Sequence, residues 1–420
     1  LSIPFSSHWT SYDSPNPIAY MKLFYSSRWA LLLLVPLPRR AFGRQRLGGR
    51  DRQATASSPS SSVPSSHEAA GVDFTLDMGT SRAKTFTAQG NTIDSRSPAM
   101  GFRCAAIPLA GALGLDPGAA IPPAQITGFG PRFEDGIEEH VHHMDAFACK
   151  GDALDVTGTE FCGDPFRMPM CGPFIAVYDK GAGDYRYPDD VGLAIGAGTG
   201  TTWILLQTHY LMTGGKQDLR TLSSIGNSGF KLRLQVGGTQ RANNARFLAI
   251  MDTSMNVLAD AAEHAYTVPA QPLASSLQHD LDAFGAVTVF AGHLHAHDTC
   301  AGFYLDVRRQ DQDADDAWTA WDEFGKITPY GGYGPDQTVH NFGPTSDVGQ
   351  RIELRGEEEL RVKCAWRTPH PRLTYGTDNG EEMCGPVLLY YPTDATVHQK
   401  SVAYWGPSGK VARVQSEAAV

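Results

Sequence analysis

The chain has 420 residues, enough for two ordinary domains with sizeable cores. Its 44 glycines, 27 prolines and 10% aromatic residues suit a β-rich, turn-rich protein better than a helical one. The net charge of −10 comes with no basic stripe interleaved with aromatic residues, which argues against nucleic acid as a partner.

Residues 1–20 hold no methionine and are expected to lie outside the mature protein. From Met21 a basic start leads to the apolar run Trp29–Pro38, too short to span a bilayer and patterned like a signal peptide. Residues 1–43 are therefore left as an unresolved N-terminus with a signal-peptide-like stretch from Met21. A secreted or secretory-lumen protein follows from this, with no sign of membrane insertion. Residues 44–71, rich in Arg, Ser and Pro, read as a disordered linker.

From about Val72 short apolar runs alternate with Gly, Pro, Asp and Asn, as in a β-sandwich. Strands are predicted at 102–110, 125–129, 140–147, 174–178 and 202–210. The polar stretch after them suggests a first domain over 72–212 and a linker over 213–227. A second domain is predicted over 228–395, with strands at 230–236, 247–252, 287–296, 352–354, 360–366 and 386–391. Residues 396–420 are left as a tail. No long amphipathic helix is predicted. Arg308–Asp316 reads as a charged loop and Glu357–Glu359 as a solvated turn.

Three histidines fall within four residues in Glu139-His140-Val141-His142-His143-Met144-Asp145-Ala146-Phe147-Ala148-Cys149. Buried imidazoles need partners, and neutral histidine is the commonest side-chain metal ligand. His209 ends the apolar run Trp203–Thr208, and His293, His295 and His297 alternate, so they share one face of a regular strand. His142 and His143 would point to opposite faces, so one ion can use both only if the strand is kinked or the two rings use different nitrogens. Met383 adds a thioether; sulfur with imidazole is a copper combination, since sulfur favours Cu(I) and imidazole suits either oxidation state. The seven cysteines contain no CxxC pair, and beside a secretory leader they read as disulfides with one left over.

Several stretches together resemble the copper type II, ascorbate-dependent monooxygenases, over about Val72 to Pro392. They are the Glu139–Cys149 segment, Tyr187–Gly196, Leu205-Leu206-Gln207-Thr208-His209-Tyr210, Phe290–His297, Cys364-Ala365-Trp366, Glu382-Met383-Cys384 and Tyr390-Tyr391-Pro392. Anchoring on Phe290-Ala291 selects His295 and His297 as ligands and leaves His293 outside the pair.

The resemblance implies two jelly-roll-like β-sandwich domains, each carrying one copper, facing across a cleft. It implies a first copper at His142, His143 and His209 that stores an electron. The second copper, at His295, His297 and Met383, would bind O2. Ascorbate is the implied electron donor, and the product is a hydroxylated small molecule. Implied disulfides join Cys104 to Cys162, Cys149 to Cys171 and Cys364 to Cys384, leaving Cys300. Gln207 stands two residues before His209 on the same face, as a neighbour to that site or as a structural amide.

The chain is closer to the dopamine β-monooxygenase-like branch. Where the amidating branch has its peptide-binding arginine stands His293, and Gly385 and Val387 replace that branch's Asn and Tyr. This weighs against a peptide substrate. A copper-binding protein without oxygenase activity is the alternative of a different class.

Overall fold

The computed structural model describes residues 72–77, 84–87, 101–116, 119–134, 136–151, 170–210, 228–259, 261–311, 318–376, 381–397 and 402–405. The predicted leader, the 44–71 linker and the 213–227 linker lie outside them.

Strands dominate, as the alternating pattern predicts. One sheet runs in the order β1 (Val72–Asp77), β10 (Ser228–Val236), β4 (Pro123–Phe133), β8 (Val191–Gly196) and β11 (Asn243–Asn244), with β7 (Tyr185–Arg186) beside β4. A second runs β2 (Lys84–Thr87), β3 (Gly101–Pro108), β9 (Trp203–Tyr210), β5 (Val141–Cys149) and β6 (Cys171–Asp179). A core containing Ile126, Phe129, Phe147, Phe174 and Phe230 joins these two sheets. Burying each such aromatic or aliphatic side chain contributes about 1.5–3 kcal/mol.

The third sheet runs β18 (His340–Asn341), β15 (Val287–Ala296), β22 (Cys384–Tyr391), β12 (Arg246–Asp252) and β23 (Val402–Trp405), with β19 (Ile352–Leu354) also paired to β15. The fourth runs β14 (Glu263–Val268), β20 (Glu358–Trp366), β16 (Cys300–Arg309) and β17 (Asp322–Ile327). Leu294, Phe303, Phe324, Val362 and Leu388 belong to the core of this second pair. A ribbon of β13 (Asn256–Val257) and β21 (Leu373–Thr374) adds to them. The fold is an all-β sandwich architecture. β20 alternates buried and half-buried positions, as one covered face requires, whereas β15 is buried almost throughout. No helix among the described residues is long and apolar enough to cross a membrane.

The structure differs from the sequence reading at five places. β10, expected to open the second set of strands, pairs antiparallel with β1 and β4 of the first sheet. The expected tail contributes β23, parallel to β12. Arg308 and Arg309 finish strand β16 rather than starting a loop.

Glu358 is no solvated turn residue: it is buried, and its Oε2 accepts the backbone N–H of Arg355 at 2.8 Å and Gly356 at 3.0 Å. The fifth difference is a helix. After the short α1 (Leu109–Ala112) comes the 15-residue α2 (Ala270–Phe284), entered through Pro269 and closed by Gly285 at φ 75°. Its inner stripe includes Leu273, Ser276, Leu277 and Asp280, half of it polar, so hydrophobic spacing alone does not reveal it. Asp280 justifies its burial by pairing with Arg246 at 2.7 Å and accepting the Tyr390 hydroxyl at 2.9 Å.

Disulfides Cys149–Cys171 and Cys364–Cys384 form as the resemblance implies. Cys104 is disulfide-bonded as well, while its implied partner Cys162 lies outside the described residues. Cys300 is a buried free thiol.

Candidate metal centres

β5 and β9 are neighbours, with His143 opposite His209. A regular strand would separate His142 from His143. The pairing slips between Val141 and His143, so His142 is the extra residue of a bulge. Of the two alternatives the sequence left open, a kinked strand or different ring nitrogens, the kink is present.

His142, His143 and His209 each offer a ring nitrogen within 4.8 Å of the others. His142 Nδ1 lies 3.3 Å from His209 Nδ1. Two imidazole lone pairs facing each other at that distance need a cation or a proton between them. Burial, and then the neighbouring imidazoles, hold both pKa values well below the usual histidine range. Both rings are thus neutral at pH 7, the form that ligates metal. His142 Nε2 is 2.8 Å from the Tyr333 hydroxyl, which leaves Nδ1 for the centre of the triad. His143 Nδ1 is 3.4 Å from an oxygen of Asp145. His140 sits in the turn before β5 and does not join the group. Gln207 is buried on β9, in register with Asp145.

The second group lies at the end of β15, with His295 on the strand and His297 directly after it. Ring centroids of His295 and His297 are 5.2 Å apart. His297 Nδ1 donates to the Glu381 carbonyl at 2.9 Å, which fixes its tautomer. Among the described residues its Nε2 is buried with no hydrogen-bond partner. Burial and the neighbouring His295 draw the His297 pKa down to about 3, again leaving a neutral ring.

His295 Nδ1 faces Gln337 Oε1 at 3.1 Å and Asp179 Oδ2 at 3.2 Å. Burial alone would lower the His295 pKa, but the Asp179 carboxylate outweighs it and raises the value. Asp179 shows the reciprocal effect: burial opposes ionisation, and His295 with His293 pulls its pKa well below the carboxylate range.

β15 and β22 are antiparallel with Ala296 opposite Cys384, which brings buried Met383 beside His297. Glu382 ties the two together, because its Oε1 accepts the backbone N–H of both His297 and Met383. Its other oxygen takes the Thr299 hydroxyl.

His293, which the sequence reading leaves outside the ligand pair, forms with His295 and Asp179 a second group whose ligand atoms lie within 4.8 Å. One expectation needs correction: no open cleft separates His142 from His297, since their rings are 5.0 Å apart. The reason is how the turn after β6 meets the segment before β18. Gly183 N–H donates to Thr338 Oγ1 at 2.8 Å, and the Tyr185 hydroxyl donates to Asn341 Oδ1 at 2.9 Å. A Cβ on Gly181 would come within 2.5 Å of the Gly334 backbone. Tyr333, carried in on that segment, lies edge-on to His142 at 5.3 Å and tilted against His297 at 5.9 Å.

Sequence reasoning missed Asp179, Tyr333, Gln337 and the role of Glu382. Of these, only Glu382 carried a signal, its place beside Met383.

The fold and these groups define a β-sandwich protein with two adjoining imidazole-rich centres, one all-histidine and one with a thioether beside it. Such donor sets fit copper: imidazole suits both oxidation states, sulfur favours Cu(I), and among the described residues the buried His297 Nε2 has no other partner.

Residues 121–217 match the copper type II ascorbate-dependent monooxygenase N-terminal domain. Dog dopamine beta-hydroxylase (Canis lupus familiaris) is 24% identical over 278 residues, covering 64% of this chain and 41% of the relative. Mouse DBH-like monooxygenase protein 2 (Mus musculus) is 35% identical over 83 residues, 20% of this chain and 13% of the relative. Tyramine beta-hydroxylase of Caenorhabditis briggsae is 31% identical over 83 residues, 19% of this chain and 14% of the relative. The match thus spans well under two thirds of each relative's length. A solved CBM22 tandem domain from Paenibacillus barcinonensis Xyn10C aligns over 77% of this chain and 98% of its own. At 7% identity and a TM-score of 0.17 it bears on neither fold nor function. Residues 121–217 thus resemble the N-terminal domain of the copper type II ascorbate-dependent monooxygenases, and over a longer span the chain is similar to dopamine beta-hydroxylases.

Proposed function

We propose that this chain is a copper monooxygenase that uses O2 and ascorbate to hydroxylate an activated C–H bond of a small molecule. An aromatic amine is the first substrate class to test, since relatives carry the names of dopamine and tyramine hydroxylases. The observation that carries the reading is the pair of adjoining, largely buried imidazole groups whose ring nitrogens converge. One copper would sit at His142, His143 and His209, the other at His295, His297 and Met383. Copper at both places supplies one-electron redox chemistry, so that two electrons from ascorbate can meet one O2.

The chain's own residues prepare those places. Glu381 holds the Nδ1 proton of His297, so Nε2 faces inward. Gln337 and Asp179 do the same for His295. The Tyr333 hydroxyl engages His142 Nε2 and leaves Nδ1 for the triad. Glu382 sets the spacing of His297 and Met383 through their amides. Burial keeps the His142, His209 and His297 rings neutral and keeps bulk water out.

A peptide carboxylate finds no clamp, because His293 is already engaged by the Asp179 carboxylate, which would repel it. A secretory-pathway location fits the disulfides and the leader-like run from Met21. The second reading, copper binding without oxygenation, is favoured by one observation: the 5.0 Å contact of His142 with His297 leaves no room for substrate between those rings.

Ascorbate-driven O2 uptake by the copper-loaded protein, measured across a panel of aromatic amines with product analysis, separates the two. Substrate-dependent uptake with a hydroxylated product supports the monooxygenase. Two bound coppers with no substrate-dependent uptake supports the copper-binding reading.

A further inference from the structure

Asp179 closes β6 in the second sheet, yet its carboxylate lies against His293 and His295 on β15 of the third. It is only 7% exposed. A buried carboxylate of this kind costs several kcal/mol unless partners surround it. Here one oxygen, Oδ2, meets both His293 Nε2 and His295 Nδ1. The stacked rings of His293 and His295, 5.8 Å apart, thus share a single acceptor.

Among the described residues His293 Nδ1 is buried with no hydrogen-bond partner, and the ring's engagement is through Nε2 to Asp179. His293 therefore serves the carboxylate. That gives the first histidine of the alternating trio a task distinct from ligation. Gln337 is the other acceptor at His295 Nδ1. Its amide is oriented by Nε2 donating to the Ala296 carbonyl at 2.6 Å and the Gly332 carbonyl at 3.3 Å. His295 is thus gripped at Nδ1 by one charged and one neutral oxygen, leaving Nε2 to face a metal.

We infer that Asp179, anchored by His293, is a positioning residue for His295: a carboxylate supplied by the second sheet that orients and enriches a metal-binding imidazole on the third. The inference rests on the copper reading above. A carboxylate accepting the Nδ1 proton fixes the ring's tautomer and makes Nε2 a stronger donor. A stronger nitrogen donor favours Cu(II), the opposite pull to the Met383 thioether, which favours Cu(I). The pair would set the redox balance of one copper without touching the other.

The test uses the full chain loaded with copper, comparing wild type with Asp179→Asn, Asp179→Glu and His295→Ala. The readouts are copper per chain, the EPR spectrum of the Cu(II) form, and the Cu(II)/Cu(I) midpoint potential of each site. Asp179→Asn is expected to weaken Cu(II) binding at one site by about 10–100-fold. It is also expected to raise that site's potential and change the EPR signal of that copper alone. Asp179→Glu should restore part of the shift, and His295→Ala should lose that copper.

A spectrum and potential unchanged in Asp179→Asn, with one copper lost in His295→Ala, would overturn the Asp179 inference and leave the ligand assignment standing. Two coppers retained in His295→Ala would overturn both. If Asp179→Asn does not fold, His293→Gln is read in its place. It should move the same copper's spectrum and potential in the same direction, and an unchanged spectrum there overturns the inference.

Discussion

The two histidine groups are built in opposite ways. His142, His143 and His209 come from two neighbouring strands of one sheet, and a single bulge brings their nitrogens together. The group around His295 and His297 comes from the end of one strand, β15, and gathers its supports from far along the chain: Asp179, Gln337, Glu381, Glu382 and Met383. Sheet geometry brings the first together, with the Tyr333 hydroxyl added at His142. The second depends on long-range contacts that must all form together. Damage to loops and termini of strands should therefore reach the second group well before the first.

The sharpest way to break the symmetry is Met383→Ile. It should abolish hydroxylation and weaken Cu(I) binding at one site while copper at the all-histidine site remains. Copper analysis and Cu(I) competition titrations check this, and surviving activity would show that Met383 is no ligand.

Next in size is the Cys364–Cys384 disulfide, which ends immediately beside Met383. Replacing both cysteines with serine should cost about 2–5 kcal/mol in chemical unfolding. It should also loosen copper at the Met383 site more than at the other. The matching change at Cys149 and Cys171, on β5 and β6, should cost a similar amount but spare Met383.

Acid probes the metal-free protein. His142, His209 and His297 have folded pKa values below the unfolded value of about 6.5, so between these limits the unfolded chain binds more protons. Their contribution is complete above pH 6.5 and is lost as pH falls, for His297 toward about 3. His295 runs the other way: its raised pKa favours the fold below the unfolded value and is lost as pH rises through the folded one. Burial lowers the His340 pKa as well, so with four histidines against one, urea midpoints of the metal-free protein should be lower at pH 5 than at pH 7.5, and equal midpoints would contradict this.

The smallest effect expected is at Tyr333, which touches both groups. Tyr333→Phe removes one hydrogen bond to His142 and should cost about 0.5–1.5 kcal/mol of stability. Its EPR change should fall on the all-histidine copper, the reverse of the change expected from Asp179→Asn.

What the sequence made legible followed local pattern. The apolar run 287–296 became β15 without a shift of boundary, and the alternating histidines on it share a face as the strand period requires. The sequence also posed the problem of His142 and His143, but a period of two cannot announce the bulge that solves it. β10 was assigned to the wrong set of strands because a strand's pattern says nothing about its partner. Helix α2 stayed hidden because Ser276 and Asp280 occupy its buried stripe, and Asp280 can be buried only thanks to Arg246 and Tyr390. Asp179 was invisible for the same reason as β10. Its meaning lies in two histidines more than a hundred residues away.

The most direct test of two differently built centres is X-ray absorption on the fully copper(I)-loaded protein together with its copper content. The account predicts two coppers per chain, with sulfur bound to one of them and the sulfur signal gone in Met383→Ile while nitrogen ligation persists. A single copper per chain, or two coppers with no sulfur signal in the wild type, would contradict it.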